Sequence, residues 1–128
     1  MKIDTTSFPL VWMRFKVTDP ATDAAPFAGF EALLARRTPF VLLNDEGLDS
    51  GRAHEHSHEE RRRTSVWMKQ HKSELREFVK AAIYIEPDNA RRLAAASFAQ
   101  GYIKFWGYPM ILANSLEEAL NKAEELLQ

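Results

Sequence analysis

The chain has no cysteine among its 128 residues, which excludes disulfides, thiolate metal sites and a cysteine nucleophile. It also has no apolar run approaching the roughly 20 residues of a membrane-spanning helix. The opening stretch MKIDTTSFPLVWMRF carries Lys2, but Asp4, Pro9 and Arg14 interrupt it, and no apolar segment is long enough for a secretory signal. A cytoplasmic protein is therefore expected. Neither sign of charge dominates: 17 Lys and Arg against 18 Asp and Glu leave a formal charge of −1, so no global field draws in nucleic acid or an anionic surface. Two motifs are missing as well. Neither G-x-x-x-x-G-K-[ST] nor G-x-G-x-x-G occurs, so no glycine loop is available to cradle phosphates. Repeats and low-complexity segments are absent, and the length suits one domain with its own core.

What is there is an alternation of short apolar runs with capped amphipathic segments. PLVWMRFKV (9–17), PFVLLND (39–45), AAIYIEP (81–87) and PMILAN (109–114) read as strands: they are short, rich in β-branched and aromatic residues, and bounded by proline or polar residues. Between and after them lie helical patterns near 22–37, 58–79, 89–106 and 115–127. Thr22 or Asp23 is available to cap the first, with Phe27, Phe30, Leu33 and Leu34 at helical spacing. Trp67, Met68, His71, Leu75, Phe78 and Val79 form one face of the second. Asp88 or Asn89 caps the third, in which Leu93, Ala94, Ser97, Phe98, Gly101 and Phe105 share a face; Gly107 suits the left-handed position that ends it. Ser115 and Glu118 fit a capping box at the start of the fourth. The order β-α-β-α-β-α-β-α predicts a single small α/β domain: a four-stranded, mainly parallel sheet covered by four helices.

The candidate functional residues fall in a few places. In an open parallel sheet, ligands gather beyond the carboxyl ends of the strands, where this chain carries Asp19, Asp45, Glu46, Glu86, Asp88, Asn114 and Ser115. Such carboxylates can hold a divalent cation, but acidic and hydroxyl side chains at these points also cap helices, and capping is the expected role. His54, His56 and His58 alternate, so in extended chain their imidazoles share a side and can converge on a transition metal, with Glu59 or Glu60 beside them. That arrangement defines the alternative of a small metal-dependent enzyme. The flanking Gly47, Ser50 and Gly51 point instead to a mobile, metal-free loop over 47–57, and no cofactor is expected. His71 reads as a half-buried core histidine. Arg61, Arg62, Arg63, Lys69, Lys72 and Arg76 make a basic helix surface on which Arg62 is a candidate contact to an acidic partner; interleaved glutamates argue for surface pairing and against nucleic acid. Finally, GYIKFWGYP packs four aromatics into 102–108, more than one helix face can bury, so Trp106 and Tyr108 are candidates for an exposed apolar surface serving a dimer, a partner protein or a lipid.

The helix-to-strand passage FEALLARRTPFVLLND, the long helix within SVWMKQHKSELREFVKAAIYIE and the closing NSLEEALNKAEELL together resemble the SpoIIAA-like branch of the STAS superfamily. The resemblance implies a non-enzymatic regulatory or interaction module acting through a partner protein, a nucleotide or a lipid. It also implies a phosphorylated serine after a strand, for which Asp49–Gly51 offers Ser50, with one serine where the family pattern has two.

Overall fold

A computed structural model describes residues 2–16, 20, 25, 27–48 and 58–128. The elements are β1 (Lys2–Asp4), β2 (Leu10–Arg14), α1 (Ala28–Ala35), β3 (Phe40–Asn44), α2 (His58–Phe78), β4 (Val79–Ile85), α3 (Asn89–Trp106), β5 (Met110–Ala113) and α4 (Leu116–Leu127). The α/β class agrees with the expectation, but among the described residues the sheet has five strands where the sequence predicts four, in the order β1-β2-β3-β4-β5. The additional strand is β1, which pairs antiparallel with β2 from Lys2↔Arg14 to Asp4↔Trp12; the other neighbours are parallel. Three residues of alternating polarity carry too little pattern to read as a strand. Only the tertiary contact makes it one: Ile3 turns inward and packs on the core, close enough to α1 that a Cβ on Gly29 would lie 2.9 Å from Ile3 Cδ1.

The first helix is expected over 22–37; its described part ends at Ala35, and the proposed caps Thr22 and Asp23 lie outside the described residues. The helices α3 and α4 begin where their caps predict. Asp88 accepts from the backbone N–H groups of Ala90 and Arg91, and Ser115 Oγ accepts from Glu118 N at 3.1 Å. Gly107 ends α3 with φ 89°, the left-handed conformation that glycine adopts without a Cβ penalty.

Parallel strands in sequential order, joined by crossovers of one hand, place successive helices on one face of the sheet. The core follows that rule. Leu33 and Leu34 of α1 and Trp67, Met68, Leu75 and Phe78 of α2 meet Val11, Met13, Phe40 and Leu42, with Tyr102 and Trp106 of α3 packed against them. Among the described residues α4 alone covers the opposite face, and its Ala119 and Ala123 sit against Val41, Leu43, Ala81 and Ile83. β3 is buried along its whole length because both layers cover it, which explains its unbroken apolar run. The register slips by one residue between Phe40↔Val79 and Val41↔Ala81, which leaves Lys80 as an extra residue at the point where α2 passes directly into β4.

Candidate interaction surface

The carboxyl edge of the sheet, where ligands usually bind, is occupied by its own side chains. Asn44 is buried, and its Nδ2 donates to Met13 O at 2.8 Å and to Glu46 Oε1 at 2.9 Å. Glu46 in turn accepts from Phe15 N at 2.7 Å and Lys16 N at 2.9 Å, clamping the chain as it leaves β2. Partial burial pushes the Glu46 carboxyl up, but the bonds from Asn44 and from the Lys16 and Phe15 backbone more than offset it, and the net direction is down. Glu86 is 3% exposed and does the same for the next connection: Oε1 accepts from Leu48 N, Oε2 from Asp88 N, and Arg91 lies 3.6 Å away. Asp45 pairs with Arg14 at 3.5 Å, and Asp88 and Ser115 cap helices. Asp88 and Ser115 thus cap helices, as expected, whereas Glu46 and Glu86 hold connecting backbone and Asp45 faces Arg14 instead of capping. Asp19, Ser50, His54 and His56 lie outside the described residues, as do 49–57 of the histidine loop; among the described residues no group of three or more metal-donor side chains comes together.

His71 has the carboxylate neighbours that sequence spacing alone does not locate. Its ring lies over Trp67 with centroids 4.6 Å apart, Nδ1 is 3.3 Å from Glu74 Oε1, and Nε2 is 4.0 Å from Glu31 Oε1. Both acids have other partners: Glu31 accepts the Trp67 indole N–H at 2.9 Å, and Glu74 faces Arg37 at 3.7 Å. The cluster fastens α1 to α2, and His71 is the half-buried core residue the sequence predicts. Arg62 lines an open cavity of about 420 Å³ with Arg63, Val66 and the stacked rings of Phe27 and Trp67.

The aromatic segment differs from its expectation. Tyr108 is 4% exposed, and Trp106 is half-buried against the core, so these two do not form the expected open surface. The reason is that α3 has two apolar sides. Ala95, Ala99, Tyr102 and Trp106, spaced 4-3-4, make the inner side, the alanines allowing the helix to approach closely; each is half-buried. The tyrosine rings of 102 and 108 meet edge to face, with centroids 5.7 Å apart. The face holding Ala94, Phe98, Gly101 and Phe105 is turned outward. Leu93 and Phe98 are 68% and 67% exposed, Ile103 and Phe105 46% and 42%, and not one of the 18 residues of α3 is fully buried. Sequence analysis detects the Phe98–Phe105 stripe, but nothing in the spacing says which of the two faces the sheet takes.

No protein-family model, curated protein or solved structure matches this chain. No helix among the described residues is long and apolar enough to cross a membrane.

Proposed function

We propose that this protein is a cytoplasmic, non-enzymatic interaction module of the STAS-like α/β class, and that it binds its partner through the outer face of α3. One observation supports the reading above the others: an 18-residue helix leaves four large apolar side chains in water. Phe98 and Phe105 share its outward face with Ala94 and Gly101, and a contiguous exposed apolar patch marks an interaction site. At the carboxyl edge, by contrast, Asn44, Glu46 and Glu86 have their polar groups committed to holding the chain. The resemblance of the element order to SpoIIAA-like proteins points the same way, and a second copy of the chain, another protein and a lipid are the occupants it allows.

The absence of cysteine makes a direct test available. Ser97 is exposed between Leu93 and Phe98, so Ser97→Cys gives a unique thiol for a polarity-sensitive dye; Glu124→Cys on α4 serves as the control. Titrated with the soluble and membrane fractions of the native cell, the Ser97 dye should shift to the blue and the Glu124 dye should not. An unmoved Ser97 dye in both fractions would refute the module reading.

A further inference from the structure

We infer that a second copy of the chain pairs antiparallel with the free edge of β5, joining two five-stranded sheets into one, with Leu93 and Ile103 of α3 packed across the same two-fold axis. This interface is separate from the face holding Phe98 and Phe105 and does not depend on what covers that face.

The two edges of the sheet differ. β1 is three residues long, and two of them are charged: Lys2, and Asp4, which faces Arg14 at 4.0 Å. Charged side chains on so short a strand guard an edge against pairing. β5 carries no charge from Met110 to Ala113. The direction of its backbone groups follows from its neighbour. Ala82 N donates to Pro109 O at 2.9 Å and Glu86 N to Ala113 O at 2.8 Å, so alternate residues, Pro109, Ile111 and Ala113, turn their backbone groups to β4. The N–H and C=O groups of Met110 and Leu112 therefore point away from the sheet, and no partner among the described residues takes them. Two donors and two acceptors on one strand are matched by the same set on an antiparallel copy, which is what a two-fold contact requires.

α3 extends the same edge. Leu93, Ala96, Gln100 and Ile103, at intervals of 3, 4 and 3, form a strip of their own, and all four are exposed, Leu93 by 68% and Ile103 by 46%. They lie about 100° further round the right-handed helix than the inner residues Ala95, Ala99, Tyr102 and Trp106. With a right-handed crossover from β4 to β5, that is the side away from α2, towards the free edge. From Leu93 to Ile103 the helix has no charged residue, so two copies meet there without repulsion. Arg91 and Arg92 take no part, being paired with Glu86, Asp88, Asn89 and nearby carbonyls. α3 is held between β4 and β5, because Tyr102 bonds to Tyr84 of β4 and to Tyr108 ahead of β5. Strands about 4.8 Å apart across the new junction then set the two α3 helices roughly 10 Å apart, an ordinary helix-packing distance. Antiparallel helices bring Leu93 of one copy towards Ile103 of the other, with Ala96 allowing the approach.

The test uses the whole chain. Sedimentation equilibrium should return twice the 14.7 kDa chain mass, and hydrogen exchange should find the Met110 and Leu112 amides protected although β4 does not bond them. Leu93→Lys/Ile103→Lys, both at exposed positions, should raise the dimer dissociation constant on the order of a hundredfold and open those two amides to exchange. Phe98→Ser/Phe105→Ser should leave the dimer intact, and an unchanged circular dichroism spectrum separates loss of pairing from loss of fold. A monomer at millimolar concentration overturns the proposal. So does a dimer whose Met110 and Leu112 amides exchange freely, or one that the lysine pair leaves intact. A dimer that Phe98→Ser/Phe105→Ser dissociates puts the second copy on the Phe98 face: the β5 assignment falls and the module reading stands. Should the lysine pair fail to fold, exchange at Met110 and Leu112 in the wild-type dimer decides alone.

Discussion

Glu46 shows how a side chain predicted as a ligand position comes to hold the chain instead. Burial opposes its charge, yet the Asn44 amide and two backbone N–H groups that converge on its oxygens leave it below the ordinary glutamate value. A carboxyl lowered on folding stabilises the folded state above its unfolded value of about 4.3, and that contribution is lost as pH falls through the lower folded value. The difference in unfolding free energy between wild type and Glu46→Gln should therefore be largest near neutral pH and shrink below about pH 4.3. Urea unfolding across the acid range measures it, and a difference independent of pH would mean that the clamp does not depend on the charge. Glu86 is the deeper counterpart, its oxygens taken by Leu48 N, Asp88 N and Arg91. Both acids are visible in the sequence as residues following strands. The backbone they clamp is not, because Phe15, Lys16 and Leu48 sit 30 to 38 positions away along the chain.

At the scale of the element, α3 is the helix whose ends are legible and whose orientation is not. Asp88 and Gly107 mark its limits by local chemistry alone. Its two glycines should then respond oppositely to alanine. Gly101 lies in the helix interior facing open space, with nothing within 4 Å of a built Cβ, so Gly101→Ala should raise stability by about 0.5–1 kcal/mol through the lower entropy of the unfolded chain. At Gly107 there is also room, the nearest atom being 3.6 Å away, but φ is 89°, and an L side chain there costs about 1–2 kcal/mol. Thermal unfolding of the two variants should bracket the wild type. A Gly101→Ala protein less stable than wild type would show that the outer face of α3 is covered by the protein itself.

At the scale of the molecule, all three tyrosines of the chain converge from separate elements: Tyr84 from β4, Tyr102 from α3, Tyr108 from the turn into β5. Burial is the main cause that raises each hydroxyl; Tyr102 lies between the other two, and its bonds to them and their negative charge raise it further. Groups raised on folding keep their full contribution below the unfolded value of about 10 and lose it as pH climbs through the folded values. Because no tyrosine stands outside the cluster, phenolate absorbance should show no ordinary transition near pH 10; it should rise at higher pH together with the loss of circular dichroism. A gradual titration near pH 10 with the fold intact would mean that the cluster is open to water. The convergence joins α3 to the sheet through its inner side and so commits the other side to solvent.

The sequence by itself determines what depends on near neighbours. Strand and helix identity, the caps at Asp88 and Ser115, the left-handed stop at Gly107 and the α/β class all arise from residue types and spacings within a few positions, where backbone sterics and local hydrogen bonds act. Tertiary structure decides whatever depends on a competition between distant surfaces. Lys2–Asp4 is a strand only because β2 offers it an edge. Tyr108 is buried because Tyr102 lies against it. Above all, α3 carries two apolar faces of comparable strength, and the sheet takes the one whose Ala95 and Ala99 permit close packing and whose Tyr102 and Trp106 fill the space beside β4, leaving Phe98 and Phe105 in water.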